Sequence, residues 1–199
     1  MASRQEEMIQ QMTKKEITGH LAVTQTVLLC IALLLSWFWF DSFTRDWLVL
    51  FTHVKWNEWM LYGILPGLII IAVDLLLIAL LPERFYDDGG INQKVFQGQS
   101  YSATFLLTLW VAVCEEVLFR GVIQSEFGFW TASILFALVH FRYLKKVVLL
   151  ISVLLVSFFI GYIFMVTENL VVTITIHFLI DFGLAVLIYS RKKESSIER

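Results

Sequence analysis

Charge is scarce in this 199-residue chain: Asp, Glu, Lys and Arg together make up 16% of it, against roughly 25% in an ordinary soluble domain. The 15 basic and 17 acidic residues leave a formal net charge of -2, so no nucleic acid or other polyanionic partner is expected. Cysteine is almost absent. Cys30 and Cys114 both lie inside apolar stretches, which excludes a disulfide framework and a Cys-rich metal site. No small-x-small cleavage site follows the first apolar run, so no cleaved signal peptide is expected, and there is no internal repeat or low-complexity tract. What the chain does have is apolar surface. Hydrophobic residues make up 58% of it and the mean hydropathy is +0.76, more than a soluble fold of this size can hide. The few charges cluster and leave uncharged runs of about twenty residues, the length that crosses a bilayer. The expected class is an all-α, multi-pass membrane helix bundle whose first partner is the lipid bilayer.

Six spans are predicted: Leu21 to Phe40, Trp59 to Leu81, Tyr101 to about Glu126, Gly128 to Phe141, Val147 to Thr167 and Asn169 to Tyr189. The run VVTITI at 171 to 176 has a strand-like composition, but a lone strand in lipid leaves its backbone groups unpaired, so helix is expected there. With both termini in the cytoplasm, Arg4, Lys14, Lys15, Arg84, Lys94, Arg142, Lys145, Lys146, Arg191, Lys192, Lys193 and Arg199 all fall inside. These are twelve of the fifteen basic residues, the asymmetry that sets orientation. Trp37, Trp39, Trp56, Trp59 and Trp130 then lie near the outer boundary. The chain divides into a polar N-terminus (1–20), two helices (21–81), a polar cytoplasmic connection (82–100), a four-helix core (101–190) and a basic tail (191–199).

Seven ionisable side chains interrupt the spans: Asp74, Glu115, Glu116, Arg120, His140, His177 and Asp181. A lone Asp, Lys or Arg at a helix centre costs roughly 2.5 to 3.5 kcal/mol on insertion scales, and intramembrane ionisable residues usually face the bundle interior, pair up and mark a functional path. Asp74 stands apart in the second helix, where polar glue between helices or a snorkelling contact is the expected role. The other six lie in the last four helices. Glu116 and Arg120 are spaced i, i+4 and can pair on one face, while Glu115 points about 100° away and is left over. His177 and Asp181 have the same spacing, so the carboxylate can orient the imidazole or share its proton. So have Phe136 and His140, which packs a ring against the histidine. At ~1.5 Å per residue, Glu115 lies about 21 Å from the inner end of a helix running from Tyr101 to Glu126, and His140 about 18 Å below the outer face. Asp181 and His177 lie about 18 and 12 Å below Asn169. One carboxylate and two imidazoles from three helices can therefore meet in a half-buried cavity.

A buried carboxylate is a better general base for water than an exposed one. An imidazole beside it can share the water or protonate a leaving amine, and a further donor can stabilise an oxyanion. These are the parts of a water-activating peptidase. No serine or cysteine nucleophile motif accompanies them, and Cys114 and Glu115, being adjacent, diverge on a helix. A zinc site of Glu115, His140 and His177 is chemically possible, but no HExxH spacing supports it. A proton-coupled carrier would also use mid-membrane Glu and His, but the chain lacks the repeat expected of a secondary transporter.

The succession EExxxR (Glu115, Glu116, Arg120), FxxxH (Phe136, His140) and HxxxD (His177, Asp181) on successive apolar helices resembles the CPBP family of intramembrane glutamic endopeptidases. That family comprises CAAX proteases and bacteriocin-processing enzymes, called Abi proteins in older usage. The likeness spans residues 100 to 190. It implies that Glu115 with His140 activates the hydrolytic water, that His177 and Asp181 line the site opposite as the oxyanion-stabilising pair, and that Glu116 and Arg120, with Phe136 packed on His140, support the site. It implies no metal and no cofactor. Eukaryotic CAAX endopeptidases carry Asn where this chain has Asp181; Asn can donate to an oxyanion, whereas Asp must be protonated to do so or must serve to orient His177. The short chain resembles bacterial members, which implies the cytoplasmic membrane and a membrane-associated substrate such as a bacteriocin or pheromone precursor or a regulatory membrane protein. The rival expectation is a non-proteolytic regulator or scaffold of the same fold.

Overall fold

In a computed structural model, which describes residues 11–52, 54–82, 85–140, 143 and 146–197 (side chains to Leu187), the chain is helical throughout, with no strand among the described residues. Five of the basic residues that set the expected orientation, Arg4, Arg84, Arg142, Lys145 and Arg199, lie outside the described residues, as does Phe141 at the end of the fourth expected span.

Helix α1 (Lys14–Trp39) starts at a capping box. Glu16 N–H donates to Thr13 Oγ1 at 3.3 Å, and Thr13 N–H donates to the Glu16 carboxylate at 2.7 Å; each satisfies an otherwise orphaned donor. The short α2 (Phe43–Phe51) folds back against the bundle. It is anchored by Trp47, whose indole N–H donates to Ser36 Oγ at 3.1 Å and whose ring lies so close to Gly121 that a Cβ there would sit 3.1 Å from it. Helix α3 (Trp56–Leu80) begins earlier than the sequence suggests and carries a π-helical turn, Trp59–Ile64, just before Pro66. A proline in a regular helix removes a hydrogen bond and strikes the preceding turn, and the widened turn comes where that conflict arises. The connection from 82 to 100 is not wholly irregular: Ile91–Phe96 forms α4, whose Ile91 and Val95 are buried, with Val95 packed beside Ile17 and Leu107. Lys14 Nζ donates to the Gln97 carbonyl at 2.8 Å and ties this connection to the start of α1.

Helix α5 (Tyr101–Glu116), capped by Ser100 Oγ accepting from Ala103 N–H, runs without a break into a π-helical segment, Val117–Gln124. The chain turns at Gly128 (φ 83°) inside α6 (Ser125–Val139), a left-handed value that glycine adopts without a Cβ clash. The third and fourth expected spans thus meet at the boundary read from the sequence. Helices α7 (Val147–Thr167) and α8 (Leu170–Ile197) complete the bundle. Four helices, α1, α3, α7 and the first part of α8, are long and apolar enough to cross a bilayer. The remaining two expected crossings are α5 with its π-helical extension and α6, and these carry most of the polar core.

The burial pattern is that of a protein solvated by lipid. Leu34, Leu68, Ile69, Leu106 and Leu155 are each more than half exposed, whereas Glu116, Arg120, Ser133, Ser157 and Thr173 are fully buried. In hydrocarbon, apolar side chains gain nothing by hiding, while polar ones must find one another, and small residues let the backbones approach. Helices α3 and α8 show the second effect: a Cβ on Gly67 would lie 2.9 Å from Leu179 and 3.5 Å from the Ile176 backbone, and one on Gly183 would lie 2.9 Å from Ile71. Gly67→Val is therefore expected to push the two helices apart and cost about 1 to 3 kcal/mol, read as a lower melting temperature in mild detergent; an unchanged melt would show that the contact yields freely.

Candidate active site

Arg120, on the π-helical segment, is at the centre of the polar core. Its guanidinium pairs with Glu116 at 3.5 Å, donates to the Ser157 carbonyl and Oγ at 3.1 Å each, approaches Gln124 Oε1 at 3.4 Å and lies over the Phe136 ring, 5.3 Å from its centroid. Gln124 in turn donates to the Gly161 carbonyl at 2.7 Å, and Ser157 Oγ donates to the Ser133 carbonyl at 3.1 Å. Gly161 is the close-approach point, since a Cβ there would meet Ser133 Oγ at 2.9 Å. A buried charge is tolerable only when paired and hydrogen-bonded, and this network ties α5, α6 and α7 into one frame.

Above that frame the expected groups converge. Glu115 is 7% exposed and His177 7% exposed; the side chains of His140 and Asp181 are 23% and 34% exposed. Exposure thus rises from Glu115 towards one rim. Glu115 Oε2 lies 3.8 Å from His177 Nε2 and 4.0 Å from His140 Nε2, so residues from α5, the end of α6 and α8 share one small volume. His177 Nε2 is also 3.6 Å from Asp181 Oδ2.

Each ring is set by its other nitrogen. His140 ends α6, and its Nδ1 lies 2.8 Å from the Phe136 carbonyl. A carbonyl only accepts, so Nδ1 carries the hydrogen, and in the neutral ring Nε2 presents a lone pair towards Glu115. His177 Nδ1 lies 2.9 Å from Glu116 Oε1. The carboxylate paired with Arg120 thus also orients His177, a double role that helical spacing within one segment did not show. Asp181 is on the opposite, site-facing side of the same imidazole. Phe136 packs against both histidines, with ring centroids 4.8 Å from His140 and 5.8 Å from His177.

Two contributors escaped the sequence reading because they carry no charge. Gln124 extends the Arg120 network, and Gln25 of α1 donates from Nε2 to Glu115 Oε1 at 2.7 Å, while itself only 4% exposed. Their signal was an amide in an otherwise apolar or buried stretch; Gln25 is the one amide between Leu21 and Phe40.

Comparison with known proteins bears on this arrangement. The family model described as Type II CAAX prenyl endopeptidase Rce1-like matches residues 97–183. YpbD of Bacillus subtilis (strain 168), described as an uncharacterized protein, is 41% identical over 159 residues, 80% of this chain and 83% of that protein. The chain belongs to the Rce1-like CAAX prenyl endopeptidase family. No solved structure matches it. The Rce1-like match starts just before α5 and ends two residues beyond Asp181, so it contains every group of the cluster except Gln25. Membership makes the chain a multi-pass membrane protein of a family of membrane endopeptidases, in keeping with the CPBP likeness read from the three motifs.

Proposed function

We propose that this chain hydrolyses a peptide bond in a membrane-associated peptide or protein, using Glu115 as the general base for water. The observation that carries the reading is the environment of Glu115 Oε2. It is buried without a hydrogen-bond partner, and both imidazole Nε2 atoms face it from 3.8 and 4.0 Å. These separations are too long for direct hydrogen bonds and are of the kind a bridging water serves. A water there loses its proton to Glu115 as its oxygen attacks the peptide carbonyl, with the His140 lone pair sharing the second hydrogen. The carbonyl becomes a tetrahedral oxyanion. His177, whose Nδ1–H is held by Glu116, donates from Nε2 in its protonated form towards that oxygen, and Asp181 on the same side either adds a proton of its own or holds His177 in that form. The proton taken by Glu115 then passes to the leaving amine, which restores the carboxylate and completes the hydrolysis.

Lys146, six residues beyond His140, pairs with Asp87 of the connection that holds α4 at 3.8 Å, and α8, which carries Asp181, packs on α4; the substrate is taken to enter from that face, the cytoplasmic one in the expected topology. The bacterial relative fits a bacteriocin or pheromone precursor, or a regulatory membrane protein, better than a prenylated eukaryotic protein. In proteoliposomes, a panel of quenched fluorogenic peptides, some ending in a prenylated cysteine and some carrying one apolar span, is expected to include a substrate whose cleavage is unchanged by a strong chelator. Loss of cleavage on chelation, restored by zinc, would move the chemistry to a metal-bound water. No cleavage of any peptide, with a cellular phenotype indifferent to Glu115→Gln, would leave the non-proteolytic regulator.

A further inference from the structure

The residue that touches Glu115 most closely from another element comes from outside the matched core. Gln25 sits on α1, and its Nε2 donates to Glu115 Oε1 at 2.7 Å. This leaves the two carboxylate oxygens with different tasks: Oε1 is held, and Oε2 faces the histidines. The other groups around Glu115 do not fix it in this way. His140 and His177 stand 4.0 and 3.8 Å from Oε2, Asp181 lies beyond His177, Glu116 and Arg120 are engaged with each other and with α7 and α8, and Cys114 is its buried chain neighbour.

We infer that Gln25 is a positioning residue for the hydrolysis: it fixes the rotamer of Glu115 so that Oε2 meets the water, and does so without adding charge. This rests on the reading of Glu115 as the base. An amide suits that task. An arginine or lysine at this place would stabilise the carboxylate and weaken it as a base, whereas a neutral donor orients it at smaller cost to its basicity. The proton from water is taken on Oε2, so Oε1 stays an acceptor for the Gln25 Nε2 hydrogen in the carboxylic acid as in the carboxylate. Gln25 can thus remain bonded to Glu115 in both protonation states of the cycle, which an aliphatic side chain cannot do.

The test uses the full-length protein in proteoliposomes with a quenched fluorogenic membrane peptide that the wild type cleaves, comparing Gln25→Leu, Gln25→Glu and Glu115→Gln. Gln25→Leu keeps the volume and helix propensity and is expected to lower kcat by about 10²-fold, the cost of a misplaced reacting group, with KM unchanged. Gln25→Glu places a second carboxylate against Glu115 in place of the donor and is expected to lower kcat at least as far as Gln25→Leu, because two like charges at hydrogen-bond distance repel. The carboxyl stretching band of Glu115, identified by its loss in Glu115→Gln, is expected to shift in Gln25→Leu, a readout that needs neither substrate nor wild-type melting behaviour. Wild-type kcat and infrared band in the Gln25 variants would overturn the inference while leaving Glu115 as the base. Retained cleavage in Glu115→Gln would instead remove the reading on which it rests.

Discussion

Glu115→Gln is expected to abolish cleavage while leaving the protein folded. General-base catalysis by a positioned carboxylate is worth about 10² to 10⁴ in rate, and the amide that replaces it cannot take a proton from water. The substitution keeps shape and volume. Its Oε1 still accepts from Gln25 Nε2, so the contact at 2.7 Å survives, and a buried charge is removed, so the melting temperature is expected to stay level or rise. In the proposed mechanism Glu115 acts on the water and not on the substrate's binding groups, which predicts a fall in kcat with KM nearly unchanged, the signature of an interaction made in the transition state. A variant that retained wild-type turnover would show that the carboxylate at 3.8 and 4.0 Å from the two histidines is a structural acid. His140 gives an independent check. Its Nε2 lone pair is one of the two water contacts in the proposed mechanism, so His140→Ala is expected to be slow as well, whereas a variant at Asp74, far along the chain in α3, is not.

The extent to which this site could be read from the sequence depended on charge. Glu115, Glu116, Arg120, His140, His177 and Asp181 stand out because ionisable groups in apolar helices are costly and few, and their depths could be compared at a fixed rise per residue. Spacing along one helix also separated the paired Glu116 from the spare Glu115. What spacing cannot give is the rotation of one helix against another. Glu116 therefore read as the partner of Arg120 alone, and its hydrogen bond to His177 across to α8 emerged only once the helices were packed. Gln25 and Gln124 were missed for a related reason: an uncharged amide carries little hydropathic penalty, and its role depends on a partner ninety residues away in one case.

The fold divides in the same way. Apolar length alone marked α1, α3, α7 and α8, and the turn at Gly128 fell where the third and fourth spans were expected to meet. The π-helical segments and α4 have no periodic signature long enough to see. Val117–Gln124 follows the motif acids directly, and π-helical turns often occur at functional sites. Here the segment brings Arg120 and Gln124 to bear on α7 while leaving Glu115, on regular helix, facing the histidines. The local irregularity that sequence periodicity could not show thus carries Arg120 and Gln124 of the supporting network, while the groups proposed to react lie outside it.

That separation predicts a second large effect, on stability. Arg120 and Glu116 are both fully buried, and breaking one side of such a pair strands the other charge in a low-dielectric interior, which costs about 3 to 5 kcal/mol. Arg120→Met is therefore expected to melt far below the wild type in detergent and to accumulate poorly in cells. It loses the ion pair at 3.5 Å, both bonds to Ser157 at 3.1 Å and the tie between α5 and α7 in one step. Glu116→Gln is expected to be milder, because Arg120 keeps its Ser157 and Gln124 acceptors and the new amide oxygen can still accept from His177 Nδ1. The double variant Glu116→Gln with Arg120→Met buries no charge at these two positions. It is expected to recover part of the stability lost in Arg120→Met, a coupling that a double-mutant cycle measures directly. Because the amide preserves the orientation of His177 while Glu115 and His140 are untouched, the rescued protein is expected to regain cleavage along with its fold. Strict additivity of the two substitutions would show that Glu116 and Arg120 are neighbours without energetic coupling; rescue of the melt without rescue of cleavage would instead place the Glu116 charge, and not only its hydrogen bond to His177, within the chemistry.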